Sequence, residues 1–212
     1  MAIVRVPQNR RQARAKWDAG LVRALSEPAD RRPCEDGAMT ESQDTIPAQL
    51  RAASEADYAA IAAAIQSWWT LPGLDTAAAA RERAALVPRL WLQHFATTSL
   101  VAEHGGRLAG FLIGFLSQDC AAEGYIHFVG VAPDQRGRGI GRLLSERFFA
   151  VCRAAGRATV RCVTSPSNTL SIAFHEAMGF AIERAGGEVA KPDYDGPGVP
   201  RVAFVRSTAP AS

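Results

Sequence analysis

The chain has 212 residues, of which 48% are hydrophobic, 8% aromatic and 21% charged, a balance that suits one good-sized core and fits no disordered, collagenous or coiled-coil chain. No run approaches the roughly 20 apolar residues of a membrane span, which points to a soluble protein with no membrane partner. The net charge of +3 resides in residues 1–38, with eight basic against five acidic groups, while residues 39–212 carry sixteen of each, so the body lacks the basic surplus that nucleic-acid binding requires.

Residues 1–47 read as a basic, loosely ordered N-terminal extension with one short helix candidate near Ala13–Leu25. The start has no apolar stretch of secretory length. Met39-Thr40-Glu41-Ser42 offers a second start, which leaves open whether residues 1–38 belong to the native protein. A nucleic-acid arm is the weaker alternative use of this leader.

From Gln49 the pattern sharpens. A short strand, Gln49–Ala53, precedes Ser54-Glu55-Ala56-Asp57, whose Ser and Asp three apart can form a capping box. A helix follows with Tyr58, Ile61, Ile65 and Trp68 on one face, stopped by Leu71-Pro72-Gly73. A second helix starts after Asp75-Thr76 and runs toward Phe95, with Pro88 as a kink or break. Ser99–His104 and Leu108–Ser117 read as a hairpin joined at Gly105-Gly106. Tyr125–Val131 is a further strand, followed by a glycine-rich loop, a helix over Ile140–Ala155 and a strand over Thr159–Val163. Such a strand-helix-strand unit makes parallel neighbours. A last helix, Thr169–Met178, closes at Gly179, and strands from Phe180 and over Arg201–Val205 flank a loop at Pro192–Pro200. The fold class is α/β with a mixed, mostly antiparallel sheet and one parallel crossover, spanning residues 48–207, with a tail at 208–212. The four cysteines, Cys34, Cys120, Cys152 and Cys162, form no CxxC pair, which speaks against a metal site or a disulfide framework and for a reducing cytoplasm.

The strongest local signal is Arg136-Gly137-Arg138-Gly139-Ile140-Gly141-Arg142, which leaves a strand and opens a helix. A helix start exposes unpaired amides and the positive end of the dipole, and glycines let an anion approach that backbone. A phosphate or pyrophosphate fits. The P-loop ending Gly-Lys-Ser/Thr is absent, since Gly141-Arg142-Leu143 stands there, and the dinucleotide fingerprint fails at Arg142. Arg138 and Arg142, four residues apart, suit phosphate; a solubilising role is the alternative.

The remaining pattern, R-x-x-G-x-G at Arg136, Gly139 and Gly141, resembles the GNAT superfamily of acyl-CoA-dependent N-acetyltransferases over Tyr125 to Phe180. Asn168 and the downstream Phe174-His175-Glu176-Ala177-Met178-Gly179-Phe180 are similar to the ending usual in that family. The resemblance implies a GNAT-like fold and acetyl-CoA as acyl donor with no metal. It implies that Val129 and Val131 hold the pantetheine arm, that Gly137 to Arg142 wrap the pyrophosphate, and that the next strand diverges to admit the thioester. Two positions depart from it. His175 stands where many members carry a tyrosine acid, and Val163 where certain members carry a glutamate base.

An amine acceptor is mostly protonated at neutral pH and must lose a proton before attacking a thioester. Strand alternation puts Tyr125, His127 and Val129 on one face and Ile126, Phe128 and Gly130 on the other. His127 is therefore the candidate base, against a plain core histidine; Glu123 is the alternative base, against a solvated loop charge. His175 either donates to the leaving sulfur or caps packing beside Phe174. Asn168 touches the cofactor arm, caps the following helix, or both. Trp68, Trp69 and Trp91 wall an acceptor pocket or belong to the core.

The reading is an acetyl transfer from acetyl-CoA to a primary amine of a small molecule, peptide or protein, by direct attack in a ternary complex. No cysteine is placed for a covalent route. A non-catalytic acyl-CoA sensor is the rival. Neither the acceptor nor the oligomeric state can be read from sequence.

Overall fold

The computed structural model describes residues 48–69, 77–184 and 186–209. The leader with its expected helix, and the Leu71-Pro72-Gly73 stop, lie outside the described residues. A seven-stranded mixed sheet is formed by β1 (Gln49–Ala52), β2 (Leu100–His104), β3 (Arg107–Leu116), β4 (Glu123–Val131), β5 (Thr159–Thr164), β6 (Ala181–Ile182) and β7 (Val202–Ser207), in the order β1-β2-β3-β4-β5-β7-β6. All neighbours are antiparallel except β4 and β5. The helices are α1 (Tyr58–Ser67), α2 (Ala77–Ala85), α3 (Leu90–His94), α4 (Ile140–Ala154) and α5 (Thr169–Ala177). Helix α4 is the crossover that the parallel pair needs, so the mixed α/β architecture read from the sequence is the one found.

Local chemistry accounts for most element ends. The Ser54 amide donates to the Asp57 carboxylate at 2.7 Å, and the Asp57 amide returns a bond to the Ser54 carbonyl at 3.1 Å, closing the turn that launches α1. Pro88 breaks the second helix outright into α2 and α3, because it has no amide to continue the ladder. Gly105 and Gly106 both take positive φ in the two-residue β2–β3 hairpin, as such a turn demands. Thr208, expected in the tail, is buried and bonds through its amide to the Ala158 carbonyl at 2.9 Å.

The sheet separates two apolar clusters. One face holds Leu144, Phe148 and Cys152 of α4 against Leu112, Ile126, Val160 and Phe204. The other holds Ile61 and Ile65 of α1 with Leu92 of α3 against Val101, Phe111 and Ile113. The strand glycines make room for these partners. A Cβ at Gly124 would strike the Cys152 sulfur, and one at Gly130 would strike the Trp69 indole. Deleting the fully buried Phe148 ring would cost about 3–5 kcal/mol. Among the described residues, no helix is long and apolar enough to cross a membrane.

Candidate active site

The glycine loop behaves as a cradle of amides. Gly137 and Gly139 take φ of +77° and +79°, a left-handed backbone that favours glycine. Gly139 is the N-cap of α4, and the first helical bond runs from the Leu143 amide to the Gly139 carbonyl at 2.9 Å. The backbone amides from Gly137 through Arg142 thus have no acceptor among the described residues. A side chain at Gly139 would meet nothing within 4 Å, whereas one at Gly141 would come within 3.0 Å of Phe174 on α5. Gly139 keeps the approach to the amides open, and Gly141 seats the helix against its neighbour. Arg138 is exposed, and Arg142 makes a 3.6 Å pair with Glu146 one turn on. The Arg136 guanidinium donates to the Trp68 carbonyl at 2.8 Å and the Val131 carbonyl at 3.3 Å, tying the loop to the end of α1 and to the end of β4.

Beside this loop β4 and β5 fork. Their parallel pairing covers only Glu123↔Thr159, Gly124↔Val160 and Tyr125↔Arg161, although β4 continues to Val131 and β5 to Thr164. The Ala132 amide donates across to Ala109 of the hairpin at 2.9 Å. Backbone groups alternate along a strand, so those of Val129 and Val131 point the other way, into the fork. An acyl chain lying there would find main-chain donors and acceptors, with the amide cradle at the open end.

A β-bulge sits inside this strand and corrects the expected faces. Ile113 pairs with Phe128 and Gly114 with Ile126, leaving His127 as the extra residue. An inserted residue shifts the alternation by one. Ile126 therefore shares the α4 face with Val129 and Val131, while Phe128 lies in the α1 cluster. Val129 thus lies off the His127 face, whereas simple alternation puts the two on the same face. The His127 Nε2 lies 2.6 Å from the Leu86 carbonyl; since that oxygen only accepts, Nε2 carries the proton and the neutral ring keeps its lone pair on Nδ1. The ring also stacks on Trp91, with centroids 4.3 Å apart.

Residues 61–180 match the Acetyltransferase (GNAT) family. The chain belongs to this family. It is 33% identical over 102 residues to the L-2,4-diaminobutyric acid acetyltransferase of Nocardia farcinica, covering 48% of this chain and 51% of that one. It is 34% identical over 90 residues to the 5-NmdU N-acetyltransferase of Pseudomonas phage PaMx11, covering 42% and 61%. The chain thus spans less than two thirds of these curated relatives. Among solved structures, Ard1 from Thermoplasma volcanium superposes with a TM-score of 0.59 at 20% identity, covering 77% of this chain and 99% of that one. The yncA protein of Salmonella typhimurium, solved with acetyl-CoA, gives 0.54 at 20%, covering 78% and 96%. These two likenesses establish the fold.

Within the GNAT frame the other candidate residues take distinct places. Glu123 stands on the paired side of the fork, bonded to Arg161 at 2.6 Å; Arg161 also pairs with Glu183, which Lys191 holds at 3.1 Å. Burial pushes the Glu183 carboxyl up, and Arg161 and Lys191 outweigh it, leaving it below the ordinary value. His175 is buried in the core, its Nδ1 2.7 Å from the Ser171 carbonyl and its ring stacked on Phe204. Burial holds its pKa below the ordinary histidine value. Asn168 is the N-cap of α5, accepting from the Ser171 amide at 3.1 Å. Burial pushes the Cys152 thiol up to about 12 and raises Cys162 as well, which leaves both as thiols at neutral pH. Trp68 and Trp69 pack on Phe111 and Phe128 in the core, whereas Trp91 reaches the candidate base. Sequence reasoning missed the Leu86 carbonyl, a backbone group with no residue signature, and Phe115, which stacks on Tyr125 at 5.4 Å.

Among the described residues no group of three or more acidic, histidine or cysteine side chains could hold a metal.

Proposed function

We propose that the protein transfers an acetyl group from acetyl-CoA to a primary amine by direct attack in a ternary complex. The observation that carries this reading is the fork between β4 and β5, which opens beside a cradle of unpaired amides and next to His127. The cradle suits a pyrophosphate, Val129 and Val131 offer backbone bonds to the pantetheine arm, and the Nδ2 of Asn168 remains available to it. In the reaction the Val129 amide donates to the thioester oxygen as negative charge grows there. The ammonium acceptor first gives one proton to solvent through His127; the neutral amine nitrogen then bonds to the carbonyl carbon while its surplus proton passes to His127 Nδ1, and the carbon–sulfur bond breaks. The imidazolium then returns that proton to the departing thiolate, which leaves a neutral ring, an amide and free CoA thiol.

The burial of His175 supports a packing role, with Glu123 kept in its ion pair at the closed end of the fork. The raised thiols of Cys152 and Cys162 agree with the absence of an acyl-cysteine step. The relatives act, by their names, on L-2,4-diaminobutyric acid and on 5-NmdU, and a small amine is the acceptor class we favour over a protein. We place the enzyme in the cytoplasm, a reading supported by Cys120, Cys152 and Cys162, which are free thiols among the described residues.

The test is release of free thiol from acetyl-CoA over a panel of primary amines, with CoA affinity measured by calorimetry. Turnover above the amine-free background supports transfer. Tight CoA binding without turnover would instead make the chain an acyl-CoA sensor, and no binding would end both readings.

A further inference from the structure

The transferase reading leaves the acceptor open, and one face of the sheet bears on it. Phe95, Phe115 and Tyr125 belong to neither apolar cluster, yet they form a continuous array with Trp91 and His127. Trp91 lies 5.0 Å from Phe95 and 5.6 Å from Phe115, and Phe115 stacks on Tyr125 with planes 26° apart. All five residues are half-buried, so each leaves part of its surface exposed. Large aromatics outside a core lose contact area unless something covers them.

Continuity with the site indicates what covers this array. One end is His127, the base of the proposed transfer, and the other is Tyr125, the last residue of β4 paired to β5 before the fork. Phe95 also lines a cavity of about 350 Å³ with Thr98 and Leu116, so the array continues into a depression. Leu86 and Tyr194, at 52% and 44% exposure, give the neighbouring segments apolar side chains, and Tyr194 lies near Tyr125. Beside Tyr125 the charges are matched, since Glu123, Arg161, Glu183 and Lys191 neutralise one another and Arg201 holds Asp195 at 2.7 Å, whereas Arg157, which lines the cavity, bonds the Ala121 carbonyl and no carboxylate. A carboxylate beside Tyr125 would have to break one of these pairs.

We propose that the acceptor is an arylalkylamine, a primary amine on a short linker from an aromatic ring, with the ring on the Phe115–Tyr125 face and the nitrogen at His127. This rests on the transferase reading for its base.

The experiment compares kcat/KM for 2-phenylethylamine, n-propylamine and L-lysine in the full chain with saturating acetyl-CoA. Equilibrium binding of the same three amines to the CoA-loaded protein is measured alongside. The expected result is a preference for 2-phenylethylamine of about tenfold or more, the size an apolar pocket gives. Phe115→Leu, which keeps an apolar side chain for folding, should reduce that ratio severalfold. A general loss of folding or of catalysis lowers all three amines together and leaves the ratio unchanged, which counts against the proposal. Turnover with n-propylamine or L-lysine equal to or better than 2-phenylethylamine overturns it while leaving the transferase reading intact. Selective binding of 2-phenylethylamine without turnover supports the array and overturns the transferase reading; neither selective binding nor turnover overturns both.

Discussion

The imidazole of His127 lies flat on the indole of Trp91, with planes 16° from parallel. The stack fixes the tilt of the ring and the Leu86 carbonyl fixes its rotation, so a residue carried by β4 is oriented by the segment around Pro88. His127→Gln should lower kcat by about 10²-fold or more, the usual worth of a positioned base, with CoA affinity unchanged. The fall of kcat/KM toward acid that a base imposes should disappear with it. Trp91→Leu should give a smaller loss in kcat with the pH profile retained. Normal turnover and an unaltered profile in His127→Gln would make it a core histidine.

The two loop glycines should fail in different ways. A valine at Gly139 meets no neighbour but must adopt a left-handed backbone, costing about 1–2 kcal/mol, while its side chain stands over the amides. Gly139→Val should therefore lose CoA affinity by tenfold or more with a modest drop in Tm. Gly141→Leu collides with Phe174 and should lose both. Calorimetry beside thermal melts separates the cases, and undiminished CoA binding in both variants would contradict the cradle.

His175 makes stability depend on pH. Its folded pKa lies below the ordinary 6.5, so the unfolded chain binds a proton first on acidification, and stability falls from about that value downward. Melts between pH 7 and pH 5 should show a declining Tm, and His175→Phe should flatten the decline. If the ring only packs, kcat in His175→Phe stays within about threefold of the parent. A hundredfold loss with the fold intact would return His175 to proton transfer.

Asp57 acts in a lower window. Arg51, bonded to it at 2.7 Å, holds the carboxyl at about 2 against an ordinary 3.8, with the Ser54 amide assisting. A depressed folded pKa contributes stability above pH 3.8, and that contribution is lost as pH falls toward 2. Asp57→Asn should weaken the cap by about 1 kcal/mol at neutral pH and show less acid sensitivity in this window. An acid-melting curve parallel to the parent would refute the coupling.

Much of this molecule is legible in its residues. The glycine loop announces itself because amides, positive φ and a helix start leave few other sequences open, and the hairpin and the crossover follow from turn residues and periodicity. What escapes is set by single-residue geometry. In the strand Glu123–Val131 the glycines are Gly124 and Gly130, three residues to either side of His127, so nothing at His127 itself marks it as the extra residue that reverses the faces beyond it. The burial of His175 depends on how α5 lies against Phe204, a contact between segments far apart in the chain. The insertion of β7 between β5 and β6 is likewise a tertiary choice, and the Trp91 stack requires α3 to swing over β4 after the break at Pro88.

The three-residue pairing of β4 with β5 also bears on the mechanics of the whole domain. It makes the sheet two leaves, β1 to β4 and β5-β7-β6, stitched by a short seam. Past Tyr125 the Val129 and Val131 backbone has β3 on one side and no strand on the β5 side. A cosubstrate bonded along that edge supplies the missing rung, so binding should rivet the leaves as well as fill a pocket. Amide exchange in β5 and β7 should then slow on CoA binding, even at residues the ligand never touches.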